Sequence, residues 1–284
     1  TSHMRAPKTP FTPMTAVSPG PSTLTMQVSM PAEPVALKEL VMAAGERFEV
    51  VVDARDGTAF DLVTLPVEHS PIMRLPPFHQ PLTLVTLEPT GAAGGGTLPD
   101  RLASLPALPG TLPQASHRLD IDMTLDDKGM SALKAAGIGK VKGKEAVPPD
   151  VVAALKRLIV DGPVLPEAER LAANGINGMP YALKRPGVEM PRQTPLRWVI
   201  GEGDDTMLHP IHLHGCQFRI VRHNGKAPQP HLAGWKDTVP IFAGGETEIL
   251  VTFPFAAPPA APYMAHCHIL EHEDSGMMTQ FSVA

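Results

Sequence analysis

Proline and glycine punctuate this chain throughout, with 33 prolines and 24 glycines among 284 residues. Proline removes a backbone donor and breaks a helix interior, and glycine weakens one, so long helices are disfavoured along most of the sequence. Short strands joined by long connections absorb such residues best. At roughly 150 residues per domain the length suits about two domains, and a core can be buried without disulfides. The two cysteines cannot build a disulfide framework. With 24 basic against 29 acidic residues, a nucleic-acid-binding surface is disfavoured. The apolar runs are short and broken by charge or proline, which excludes a membrane-spanning helix. A hydrophobic content of 43% argues against a disordered chain.

Thr1-Ser2-His3-Met4 reads as a cloning scar, and residues 5–22 as a Pro/Thr/Ser-rich, loosely ordered lead-in. From Leu24 the residues alternate as strands do. Phe48–Val52 and Phe60–Leu65 are strand candidates, with a turn at Asp53–Gly57 between them. This first β region, residues 23–88, is short for a complete sandwich. Residues 89–118, rich in glycine and proline, read as an extended linker. Leu119–Met123 is a further strand, followed by a helical insertion at about 129–175. In the insertion Val151, Val152, Leu155, Leu158 and Ile159 share a helical face, and Pro166–Leu171 reads as a second, short helix. From Ile176 to Val283 the chain turns strand-rich again, with the length of one Greek-key β-sandwich.

Half of the 12 histidines crowd into two short windows: His209, His212 and His214 in the first, and His266, His268 and His272 around Cys267 in the second. The scattered His69, His79, His117, His223 and His231 read as ordinary surface or backbone-bonded side chains, but two such clusters do not. Side chains alternate across a strand, so His212 and His214 face one way, as do His266 and His268, while Cys267 faces the other. One strand thus offers imidazoles to one site and a thiolate to another. His209, Cys267, His272 and a weak Met277 thioether make the trigonal donor set of a blue-copper centre. Zinc accepts Cys and His but not a distant Met, and one thiolate does not suit an iron–sulfur cluster. Cys267 paired with a histidine as a thiol nucleophile stays open, although it uses only two of these residues.

His-Pro-Ile-His-Leu-His-Gly at 209–215 and His-Cys-His-Ile-Leu-Glu-His-Glu-Asp-Ser-Gly-Met at 266–277 resemble the two C-terminal copper motifs of multicopper oxidases. Ala233–Thr238, Ile176-Asn177-Gly178, Gly45–Val50 and Phe60–Val67 further resemble the bacterial copper-efflux (cuprous) and laccase-like oxidases. The resemblance extends over most of residues 24–284. It implies a mostly β, cupredoxin-like Greek-key sandwich at 119–284, preceded by a partial middle cupredoxin-like domain at 23–88.

By the same resemblance His209, Cys267, His272 and axial Met277 would bind a type 1 copper, His212 a type 2 copper, and His214, His266 and His268 the type 3 pair. Electrons from copper(I) or a phenolic reductant would pass through Cys267, His266 and His268 to reduce dioxygen to water, with Glu273 on a proton path or simply solvated. Asp205 and Met207, with Met123 and Asp126 or Asp127, match the extra copper(I) substrate site of the cuprous oxidases, although the insertion lacks their dense Met/His run. His-x-His occurs only at 212/214 and 266/268, whereas the family's cluster draws two more such pairs from an N-terminal domain. The expectation is therefore a C-terminal piece, completed by a separate N-terminal fragment or another protomer, and a periplasmic location. Cys216 reads as a small buried hydrophobe, not as a disulfide partner of Cys267.

Overall fold

A computed structural model describes residues 2–5, 31–37, 39–51, 57–65, 80–91, 97–122, 149–150, 153, 174–185, 187–202, 208–242 and 244–284. Four strands, β1 (Ser2–Arg5), β2 (Glu39–Met42), β3 (Phe60–Leu65) and β4 (Leu82–Leu87), form an antiparallel sheet in the order β2-β1-β3-β4. The sheet thus includes Ser2–Arg5, although Thr1–Met4 reads as a cloning scar outside the fold. Phe60–Leu65 is a strand as expected. Phe48–Val50 is not a strand; Phe48 instead meets the later sandwich, with Lys236 Nζ 4.6 Å from the centre of its ring.

The rest of the described chain is a sandwich of two sheets. One contains β5 (Ala115–Asp122), β6 (Gly175–Ile176), β8 (Leu196–Glu202), β10 (Gln217–His223), β11 (Trp235–Lys236) and β13 (Glu246–Thr252), in the order β11-β10-β13-β8-β5-β6. The other contains β7 (Val188–Met190), β9 (His209–Leu213), β12 (Thr238–Ile241), β14 (Tyr263–Cys267) and β15 (Met278–Val283), in the order β12-β9-β14-β15-β7. Most pairings are antiparallel, but β5 runs parallel to β8 and β15 to β7. β13 shows why these segments make a sandwich. Thr247, Ile249 and Val251 are buried while Glu246 and Glu248 alternate with them, which is the two-residue period of a strand with one face on a core. Between the sheets Trp198 packs edge-on against Phe281, with ring centres 5.5 Å apart, and against Phe253 at 5.7 Å.

One expectation needs correction. The strand expected from Leu119 starts at Ala115, inside the expected linker, because it pairs with Arg197 and Trp198 of β8. His272 lies in a single helical turn, α1 (Leu270–Asp274), where its backbone N–H donates to the Ile269 carbonyl. The strand at Leu24–Val28 and the helix at 166–171 lie outside the described residues, as does all but Ala153 of the helix at 151–159.

Candidate metal centre

Adjacent β9 and β14 build the site, with His266 opposite His212 and Cys267 opposite Ile211. This register decides which side chains share a face, because residues paired across strands point the same way. On the inner face Cys267 Sγ lies 3.8 Å from His209 Nδ1 and 3.7 Å from His272 Nδ1, and the two nitrogens are 3.2 Å apart. All three residues are buried. A metal ion held at about 2.0–2.3 Å by two imidazole nitrogens and one thiolate keeps those donors roughly 3.5–3.8 Å apart. The donor set therefore fits a trigonal metal site. Cys267 is 0% exposed, which argues against a thiol nucleophile because a substrate could not reach it. The Ile269 N–H donates to Sγ at 3.5 Å. Met277 is fully buried, and its backbone carbonyl accepts from the Cys267 N–H at 3.1 Å.

On the opposite face of the same strands, His212, His214 and His266 bring ring nitrogens within 4.8 Å of one another. His214 Nε2 and His266 Nε2 are 3.2 Å apart. The other nitrogen of two of these rings is engaged elsewhere. His212 Nδ1 lies 2.9 Å from the Asp237 carbonyl and 3.1 Å from Thr238 Oγ1. His266 Nδ1 lies 2.9 Å from the Cys267 carbonyl and 3.2 Å from Glu273 Oε2. Such second partners fix the tautomer and leave Nε2 free for a metal. His268 stands beside this trio, its ring centre 5.8 Å from that of His212 and 5.7 Å from that of His266. Asp205, Met207, Met123, Asp126 and Asp127 lie outside the described residues.

The first β region reaches into this second face. Gly45 sits at φ +78°, and a Cβ there would stand 2.6 Å from His268 Cδ2. Arg47 grips Asp237 with two hydrogen bonds of 2.7 Å and donates another to the Gly45 carbonyl. Gly45 and Asp237 both lie in windows that resemble the copper oxidases, yet the sequence assigns neither residue a role. Only their place in the motifs signalled one. Gly45→Ala is expected to cost about 1–3 kcal/mol through its left-handed backbone and to displace His268. Denaturant titration and the His268 ring resonances check this, and an unmoved ring would contradict the contact.

Burial, opposed by Asp237 and reinforced by the neighbouring rings, pulls the His212 pKa down to about 4. Burial also lowers His117, His214, His223 and His231. A lowered histidine binds fewer protons folded than unfolded, so stability is fully present above the unfolded value of about 6.5 and drains as the pH falls below it. The metal-free chain is therefore expected to unfold at lower denaturant at pH 5.5 than at pH 7.5. Equal midpoints would contradict it. Neutral imidazoles are also the form a metal requires. Cys216 forms no disulfide with Cys267, and burial pushes its thiol up to about 12.

Among the described residues no helix is long and apolar enough to cross a membrane. Residues 159–284 match the multicopper oxidase family model. A multicopper oxidase of Staphylococcus aureus is 44% identical over 77 residues, which is 27% of this chain and 16% of the relative. The cell division protein FtsP of Sodalis glossinidius is 28% identical over 257 residues, which is 88% of this chain and 43% of the relative. The solved structure of a bacterial laccase-like multicopper oxidase, CueO from Ochrobactrum sp., superposes with a TM-score of 0.71 at 29% identity, covering all of this chain and 52% of that one. The chain thus spans about half the length of these relatives or less. The fold is the mostly β, cupredoxin-like one, and copper is the metal the family implies for these donors. The two donor groups, Cys267 with two imidazoles on one face of a strand and a histidine cluster on the other, both lie within residues 159–284, the part of the chain that resembles the multicopper oxidases.

Proposed function

We propose that this chain supplies the type 1 copper site and half of the trinuclear site of an oxidase that takes electrons from copper(I) or a phenol. His209, Cys267, His272 and Met277 would hold the type 1 ion. His212 would serve a type 2 ion, and His214, His266 and His268 the type 3 pair. One observation carries the reading: the sulfur that closes the buried His209–Cys267–His272 triangle belongs to the residue between His266 and His268. The two sites are thus joined by three consecutive residues of one chain. Bound copper would supply one-electron oxidation of the reductant and delivery of those electrons to dioxygen, giving water.

The protein's own part is positional. β14 holds Cys267 on one face and His266 on the other. Asp237 and Thr238 orient His212, and Glu273 Oε2 stands 3.2 Å from His266 Nδ1. Glu273 stays partly exposed and would pass protons from solvent toward the His214–His266 pair. The remaining cluster ligands would come from a separate N-terminal segment or another protomer, and the reading carries a periplasmic location with it. A second reading, a copper-binding electron-transfer module without oxidase activity, is favoured by the match to a cell division protein over most of this chain.

Metal analysis and oxygen uptake separate the two. About one copper per chain with an intense visible band and no uptake supports the module, whereas about four per assembled unit, with uptake from copper(I) or a phenol, supports the oxidase. Absence of a visible band after copper loading would overturn both. Cell fractionation tests the location.

A further inference from the structure

Away from the histidines, the outer face of β10 carries a buried cation. Arg219 alternates with the core residues Phe218 and Ile220, so its side chain leaves the sandwich on the opposite side. It is only 9% exposed. Nη1 donates to the Pro106 carbonyl at 3.2 Å, and the guanidinium carbon lies 5.9 Å from the centre of the Trp235 ring. Nε has no hydrogen-bond partner, and no carboxylate among the described residues pairs with the group. Arginine cannot shed its proton, so a guanidinium in this position keeps its charge with too few partners. Burying a charge without a counter-ion is costly, and proteins retain few such groups without a use.

Arg219 lines an open cavity of about 710 Å³, within the size range of small-molecule sites. Its walls are formed by Pro31–Ala36, Leu105–Leu108, Pro230 and Ala233. The walls are tied together where the Leu102 N–H donates to the Ala32 carbonyl at 2.8 Å. Apart from Glu33, which is exposed, the wall side chains are aliphatic or proline.

We propose that this cavity binds a small organic carboxylate with an apolar body, its carboxylate on Arg219 and its body against the proline-rich walls. Charge and shape both select this class. A guanidinium fork matches a carboxylate, and the apolar lining rewards a ring or branched chain over a strongly hydrated inorganic anion. Glu33 opposes the ligand's charge and sets an upper limit on affinity.

The test uses the full chain without added copper, because no histidine or cysteine lines the cavity, and its outcome is therefore independent of the oxidase reading. The probes are 3-phenylpropionate and its uncharged amide, followed by calorimetry and by Trp235 emission. The expected result is saturable one-to-one binding of the carboxylate, with the amide about tenfold weaker or more. Arg219→Gln should weaken the carboxylate by a similar factor and leave the amide unchanged. Glu33→Gln should tighten the carboxylate. Ala107→Trp, at an exposed wall position that does not threaten folding, should block both probes. Equal affinity for acid and amide, undiminished carboxylate binding by folded Ala107→Trp, or no saturation by either probe would overturn the proposal.

Discussion

Cys267→Ser is expected to abolish the intense visible absorption of the copper-loaded chain outright and to weaken copper binding at that site by at least about 100-fold. The band requires a thiolate bonded to the metal, and Cys267 is the only sulfur within reach of both His209 Nδ1 and His272 Nδ1 among the described cysteines. The fold should survive, because the new hydroxyl replaces a sulfur of similar size and inherits its neighbours: two imidazoles and the Ile269 N–H. The matched control is Cys216→Ser. That thiol is held protonated by burial and lies in neither donor group, so the band should persist at full intensity. Absorption spectra of the two variants with far-ultraviolet circular dichroism decide the matter. A band that survives in Cys267→Ser, or disappears in Cys216→Ser, would remove the type 1 assignment.

Lys236→Met is expected to destabilise the chain by about 3–5 kcal/mol, the usual cost of leaving half of a buried ion pair behind. Lys236 Nζ lies 2.8 Å from Glu46 Oε1, and neither side chain has meaningful solvent contact, at 2% and 0% exposure. The other Glu46 oxygen accepts from the Ala43 N–H at 2.9 Å. The pair therefore pins residues 43–47 to β11. That short stretch also carries Gly45, which abuts His268, and Arg47, which clamps Asp237. The double variant Glu46→Leu with Lys236→Met should recover most of the loss, because it removes both charges together and leaves only the Ala43 N–H unmet. Chemical denaturation of the wild type, both singles and the double completes the cycle. Single substitutions that cost less than about 1 kcal/mol, within the range of exposed pairs, would show that the pair is solvated in solution.

The parts of the site that were readable beforehand are those set by covalent spacing. His266-Cys267-His268 on a strand must send its middle side chain one way and its flanking ones the other, whatever the strand packs against, because the pleat has a period of two. His209 and His212, three apart, must likewise fall on opposite faces. The alternation of buried and half-buried side chains in β13 obeys the same rule. The short helix at Leu270–Asp274 was hidden because five residues are too few to show a helical period, and its opening residue Ile269 makes no side-chain cap.

Sequence alone, then, determined the two groups of donors and their division between two faces of one strand, since both follow from local backbone geometry. Tertiary structure alone decided that Arg47 would meet Asp237, that Gly45 would lie under His268, that Glu273 would reach His266, and that Arg219 would be buried beside Pro106. Most of these contacts join residues far apart in the chain. They form because two sheets and the segments around them bury apolar surface together, and no local propensity records which distant side chain that burial brings alongside.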